Sequence, residues 1–123
     1  MSESVLVLDD DDDLREALTG MVEYLGHVCV GAASLAELRA RADAVRHCGV
    51  AIVDINLGSD QPTGIDAYEW LKKERFAGRI VFLTGHARSH PLVQLAAQRG
   101  DVKLLEKPIG AAELRAILKT NGR

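Results

Sequence analysis

The feature of this 123-residue chain that most constrains its fold is the alternation of short apolar runs with longer segments of helical period. The runs are Val5 to Leu8, Val28 to Val30, Val50 to Val53, Ile80 to Leu83 and Val102 to Leu105. They are mostly aliphatic and β-branched, interrupted by a polar residue only at Lys103, as expected of parallel strands covered on both faces. After the first run, Leu14, Leu18, Met21, Val22 and Leu25 fall on one stripe of a 3.6-residue helix, which Gly26 ends. A second helix opens at Ser34, with Glu37 at capping-box spacing, and carries Leu35, Leu38, Ala42 and Val45 inward as one element. A third covers about 64 to 74, a fourth begins near Ser89 to Pro91, and a fifth follows Gly110 with Leu114, Ile117 and Leu118 on one face. Five β/α units of this kind make an α/β parallel sheet, and residues 1–123 have the length of a single domain with no room for a second.

Composition narrows the function. The chain is 47% hydrophobic and 27% charged, which places it among globular rather than disordered sequences. Net charge is only -3, and the bases Arg39, Arg41, Arg46, Lys72, Lys73 and Arg75 are scattered, so direct nucleic-acid binding is not expected. Cys29 and Cys48 lack metal-ligand spacing, as do His27, His47 and His90, and Tyr68 and Trp70 read as packing residues. The N-terminus has no signal-peptide pattern, and no apolar run approaches the roughly 20 residues of a membrane helix. A cytoplasmic protein that neither spans nor anchors to a membrane is the expectation.

Parallel sheets of this class place their sites at the carboxyl ends of strands. Those ends carry Asp9 and Asp10, Asp54, Thr84, and Lys107 beside Glu106. Asp9 to Asp13 puts five carboxylates in succession, and two such charges about 5 Å apart repel by on the order of 3 kcal/mol at an effective dielectric near 20. Asp11, Asp12 and Asp13 suit the cap and first turn of a helix. Asp9 and Asp10 precede that helix, where Asp54 would join them from a neighbouring strand. Three converging carboxylates suit a hard divalent cation, and Mg2+ fits because it accepts few carboxylates and leaves room for a phosphate oxygen. A hydroxyl from Thr84 and an ammonium from Lys107 complete a set suited to a phosphoryl group.

The segments Val5-Leu-Val-Leu-Asp-Asp-Asp, Ala51-Ile-Val-Asp-Ile-Asn-Leu, Val81-Phe-Leu-Thr-Gly and Leu105-Glu-Lys-Pro closely resemble, in order and spacing, the receiver domains of two-component response regulators. The resemblance covers nearly the whole chain. It implies a flavodoxin-like, doubly wound (βα)5 fold with strand order 2-1-3-4-5. It implies that Asp54 is the phosphoacceptor, that Asp10, Asp54 and the carbonyl of Asn56 hold Mg2+, and that Asp9 acts largely through water. Thr84 and Lys107 would bind phosphoryl oxygens, and the peptide before Pro108 would be cis. The implied partners are a sensor histidine kinase or histidine phosphotransfer protein, a downstream partner or output domain outside this chain, and a second copy in a phosphorylation-dependent dimer. Receivers are signalling proteins that catalyse only their own phosphotransfer and dephosphorylation.

Three positions depart from the family pattern. Gly58 replaces the usual proline after the acceptor, in a stretch to Gly64 about two residues longer than typical, with Pro62 arriving late. Leu104 occupies the usual aromatic switch position, so readout would run through backbone shifts. His86, two residues beyond Thr84, would border the attacking water and, with Asn56, tune phosphoryl lifetime. Two other readings stand beside this one. A phosphorylation-independent pseudo-receiver would signal by contact alone. A haloacid-dehalogenase-type phosphatase would use Asp9 as nucleophile with Asp11 nearby, but it leaves Asp54 without a role and lacks a later strand ending in paired acids.

Overall fold

The five apolar runs form β1 (Ser4–Leu8), β2 (Val28–Ala32), β3 (Cys48–Asp54), β4 (Arg79–Thr84) and β5 (Val102–Glu106). In the computed structural model, which describes residues 4–58, 61–85, 90–100 and 102–119, they build one parallel sheet of order β2-β1-β3-β4-β5. The helices are α1 (Asp12–Tyr24), α2 (Leu35–Ala40), α3 (Ala42–Arg46), α4 (Gly64–Lys73), α5 (Pro91–Ala97) and α6 (Ala111–Lys119).

The period-2 geometry of a strand sorts the core into two halves. Leu6, Leu8, Ala51, Val53, Ile80 and Phe82 pack with Leu38, Val45, Leu71 and Val93, under α2 to α5. Val5, Val7, Val50, Ile52, Val81 and Leu83 pack with Leu18, Val22, Leu114 and Ile117, under α1 and α6. β1 and β3 sit at the centre, which is why their runs contain no polar alternation. Cys48 belongs to the first half and Cys29 packs against the second, so the sheet separates the two thiols. Burial pushes the Cys48 thiol up to about 11.

The expected second helix is two helices. The Arg41 N–H is shared between the carbonyls of Glu37 and Leu38 at 3.2 and 3.1 Å, tightening the turn, and Arg41 at φ -107° and ψ 23° both ends α2 and precedes α3. Leu38 and Val45 are both buried, so the apolar period runs through the break and does not reveal it. At the start of α2, Ser34 Oγ accepts from Glu37 N, whereas Glu37 Oε1 accepts from Ala33 N, one residue further back than a standard capping box. Leu14, expected on the inward stripe of α1, is 36% exposed. It lies in the first turn, beside a cleft lined also by Met21, Pro108 and Ile109, rather than over the sheet.

The start of α4 fixes the end of β3. Thr63 and Asp66 form a reciprocal capping box, and Gly64 N donates to Ile55 O at 2.7 Å. A Cβ on Gly64 would fall 2.2 Å from Asp54 O and 2.8 Å from Ile55 Cα. Only glycine lets the helix approach this closely. Gly20, by contrast, is exposed in α1 with nothing within 4 Å of an added Cβ. Gly64→Ala should therefore lower stability by about 1–3 kcal/mol through overpacking, and Gly20→Ala should raise it by about 0.5–1 kcal/mol through helix propensity. Urea midpoints that move in the same direction for both would contradict this packing.

Candidate functional site

In the order β2-β1-β3-β4-β5 the chain reverses direction across the sheet between β1 and β3, the switch point at which open α/β sheets form their crevice. Hydrogen bonds that continue the ladder past the strand ends position the polar residues there. Asp9 N donates to Ala32 O at 3.1 Å, Ile55 N to Leu83 O at 2.9 Å, and Lys107 N to Thr84 O at 2.8 Å. Asp9, Asp54 and Thr84 are buried at 1%, 4% and 2% exposure, whereas Asp10 is exposed. The Lys107–Pro108 peptide is cis.

Lys107 crosses the end of β4 to join the other strands. Its Nζ donates to Asp54 Oδ2 at 3.0 Å and lies 3.1 Å from Asp9 Oδ2, an ion-pair contact without hydrogen-bond geometry. The other carboxylate oxygens face backbone: Asp54 Oδ1 accepts from Asn56 N at 3.2 Å, and Asp9 Oδ1 from Asp11 N at 2.9 Å. Burial, partly opposed by the Lys107 hydrogen bond and reinforced by the charge of Asp9, raises the Asp54 carboxyl to about 6. Burial alone would lower the Lys107 ammonium, but Asp54 and Asp9 outweigh it, and the net shift is upward.

One ammonium thus contacts two of three converging carboxylates. Oxygens of Asp9, Asp10 and Asp54 lie within 4.8 Å of one another, and buried Asp9 Oδ2 accepts no hydrogen bond among the described residues. A short positive charge and an all-oxygen donor set fit a hard divalent cation. Asn56, whose carbonyl is a further candidate ligand, is exposed, and its Oδ1 accepts from Gly58 N at 3.0 Å. Gly58 has φ +112°, which proline cannot adopt, and an added Cβ would lie 3.5 Å from Asp10 Oδ2. Leu104 is half-buried against the core under α2 to α5. His86 lies outside the described residues, as does Ser89; α5 begins at Pro91 with His90 as its cap, Nδ1 accepting from Leu92 N.

Asp11, in the middle of the acidic run, is the N-cap of α1 and accepts from Asp13 N and Leu14 N. Its carboxylate is therefore committed to the helix. Two residues were not evident as site residues from the sequence. Gly64 abuts the backbone of Asp54, as described above. Arg15 donates from Nη1 to Asp9 O at 2.8 Å and from Nη2 to Asp12 Oδ1 at 2.6 Å. The i,i+3 spacing of Asp12 and Arg15 signals their ion pair, but the reach back to Asp9 depends on the turn geometry.

A family model for response regulator receiver domains matches residues 5–119. The chain belongs to this family. It is 35% identical over 119 residues to the photosynthetic apparatus regulatory protein RegA of Cereibacter sphaeroides, and 34% identical over 119 residues to RegA of Rhodovulum sulfidophilum. Each match covers 97% of this chain but 62% and 63% of those proteins respectively, so the chain spans less than two thirds of either RegA. The solved response regulator receiver domain protein from Clostridium thermocellum superposes with a TM-score of 0.83 at 25% identity, covering 97% of this chain and 93% of that one. As a receiver domain of a two-component response regulator, the chain is a signalling module, and the Asp9–Asp11 phosphatase reading falls away with Asp11 serving as a cap. No helix among the described residues is long and apolar enough to cross a membrane.

The raised Asp54 pKa sets a pH dependence. Ionised Asp54 is disfavoured in the metal-free folded state, so its contribution to stability is full below its ordinary value near 4 and is lost as pH rises through about 6. Between about pH 4 and 7 the metal-free receiver should lose on the order of 2 kcal/mol from this group. Asp54→Asn should flatten that profile and be the more stable protein at pH 7. Matching pH profiles from denaturant unfolding of the two proteins would contradict the burial argument.

Proposed function

We propose that this receiver takes a phosphoryl group from a phosphohistidine onto Asp54 and changes conformation to control a partner. The observation that supports this most is the Lys107 ammonium, 3.0 Å from Asp54 and 3.1 Å from Asp9 at the sheet's switch point. The donor would be a sensor histidine kinase or a histidine phosphotransfer protein. The recipients of the signal would be a downstream protein or an output domain, with phosphorylation-dependent pairing of two receivers as a further route.

An ionised Asp54 oxygen attacks phosphorus in line, and its new O–P bond forms as the P–N bond of the phosphoimidazole breaks. The electron pair of that bond leaves with the imidazole. No base is needed, because a carboxylate with a pKa of about 6 is ionised at neutral pH. Asp10, Asp54 and the Asn56 carbonyl would hold Mg2+, with Asp9 acting largely through water, and the ion supplies charge neutralisation for the transferring oxygens and assists later hydrolysis. Lys107 already contacts an Asp54 oxygen, so phosphorylation of Asp54 to the acyl phosphate frees its ammonium for a phosphoryl oxygen. Thr84, buried at the end of β4, offers its hydroxyl to another. Asn56 and His86 would tune how long the acyl phosphate survives.

Readout follows from the same contacts. Lys107 N is hydrogen-bonded to Thr84 O, so a movement of Thr84 toward the phosphoryl group carries the ends of β4 and β5 together. With Leu104 in place of an aromatic, backbone displacement of this kind conveys the signal.

With Mg2+ and a small phosphodonor such as acetyl phosphate, intact mass and site mapping should find one phosphoryl group, on Asp54. Asp54→Asn should take none, and Lys107→Ala should retain some phosphorylation while losing the conformational response. Full labelling of Asp54→Asn would overturn the assignment. A wild-type protein that neither labels nor binds Mg2+ would favour the phosphorylation-independent reading.

A further inference from the structure

Asp9 is the first residue beyond β1, so its carbonyl has left the sheet ladder and needs another donor. Arg15 provides it, at 2.8 Å from Nη1, closing a six-residue turn from the strand end into α1. Its side chain is 21% exposed, and its stem rests on the bare backbone of Gly31 in β2, where an added Cβ would meet Arg15 Cδ at 3.6 Å. The backbone of Arg15 is itself anchored, its N–H donating to Asp11 O at 2.9 Å. With Asp9 N on Ala32 O and Asp9 Oδ1 on Asp11 N, three of the four polar atoms of Asp9 are fixed. The fourth, Oδ2, remains for Lys107 and a cation.

We propose that Arg15 is a positioning residue for this site: by holding the Asp9 carbonyl it sets the aim of the adjacent Asp9 and Asp10 carboxylates. The inference rests on the Mg2+-dependent reading above. It has a consequence opposite in sign to the charge of Arg15. A guanidinium behind an acidic cluster repels a second cation, so removing the charge alone would tighten Mg2+ binding. Removing the clamp loosens the ligands and weakens binding, as loss of groups that orient metal ligands does. Because the exposed Asp12 pairs with Arg15 only at the surface, it adds little.

The test is calorimetric titration of Mg2+ into the wild-type receiver and into Arg15→Lys, Arg15→Gln and Asp12→Asn, with metal-free thermal midpoints recorded for each. Arg15→Lys keeps the charge and loses the fork. Both Arg15 variants should bind Mg2+ about tenfold or more weakly, with Asp12→Asn within about twofold of wild type. Saturating Mg2+ should restore the rate of labelling by acetyl phosphate, separating a defect in metal holding from one in transfer. Should Arg15→Gln fail to fold, Arg15→Lys alone decides. Unchanged affinity in Arg15→Lys, or tighter binding in Arg15→Gln, overturns the positioning role and leaves the proposed function standing. A wild-type protein that does not bind Mg2+ overturns both.

Discussion

The Lys107 ammonium lies between the buried carboxylates of Asp54 and Asp9, and the rest of the site is arranged around that contact. Two carboxylates at 1% and 4% exposure would be strongly destabilising without a cation. One ammonium offsets part of that charge, and its position three strands from β1 requires that β5 end where it does and that the chain turn sharply after it. What the ammonium does not neutralise is left as an oxygen-lined concentration of negative charge, with Asp10 at its exposed rim. Burial, reinforced by the Asp9 part of that charge, raises the Asp54 carboxyl, and the imbalance suits the crevice to a divalent cation and a phosphoryl group.

Around this contact the fold supplies backbone rather than further side chains. The ladder bonds from Asp9, Ile55 and Lys107 extend the sheet one residue past the strands, so each polar residue stands on a rigid support. The approach of α4 at Gly64 presses on Asp54 from the other side. Precision of this kind is what phosphoryl transfer demands of a protein, since positioning and electrostatics rather than covalent help carry the reaction.

Much of this was legible in the sequence. Apolar runs marked the strands, most cleanly at β1 and β3, which are covered on both faces, and polar residues just past four of the five runs marked the site. The boundary between α2 and α3 was hidden because Leu38 and Val45 keep the same helical period across Arg41. Leu14 obeyed the stripe of α1 yet stayed half outside, since an apolar period says which face a residue is on and not whether the sheet extends beneath it. Arg15 and Gly64 escaped notice for a related reason: one acts on a main-chain carbonyl and the other by lacking a Cβ, and neither contact has a residue-type signature. Gly58, by contrast, was visible as a departure, and its φ of +112° beside Asp10 explains why proline is absent there.

The most direct test is the structure of the protein treated with Mg2+ and beryllofluoride, a mimic of a bound phosphoryl group. Beryllium should sit on an Asp54 carboxylate oxygen, with Lys107 Nζ moved from that carboxylate to a fluorine and Thr84 Oγ1 on another. An adduct on Asp9, or an unmodified Asp54 still paired with Lys107, would contradict this assignment.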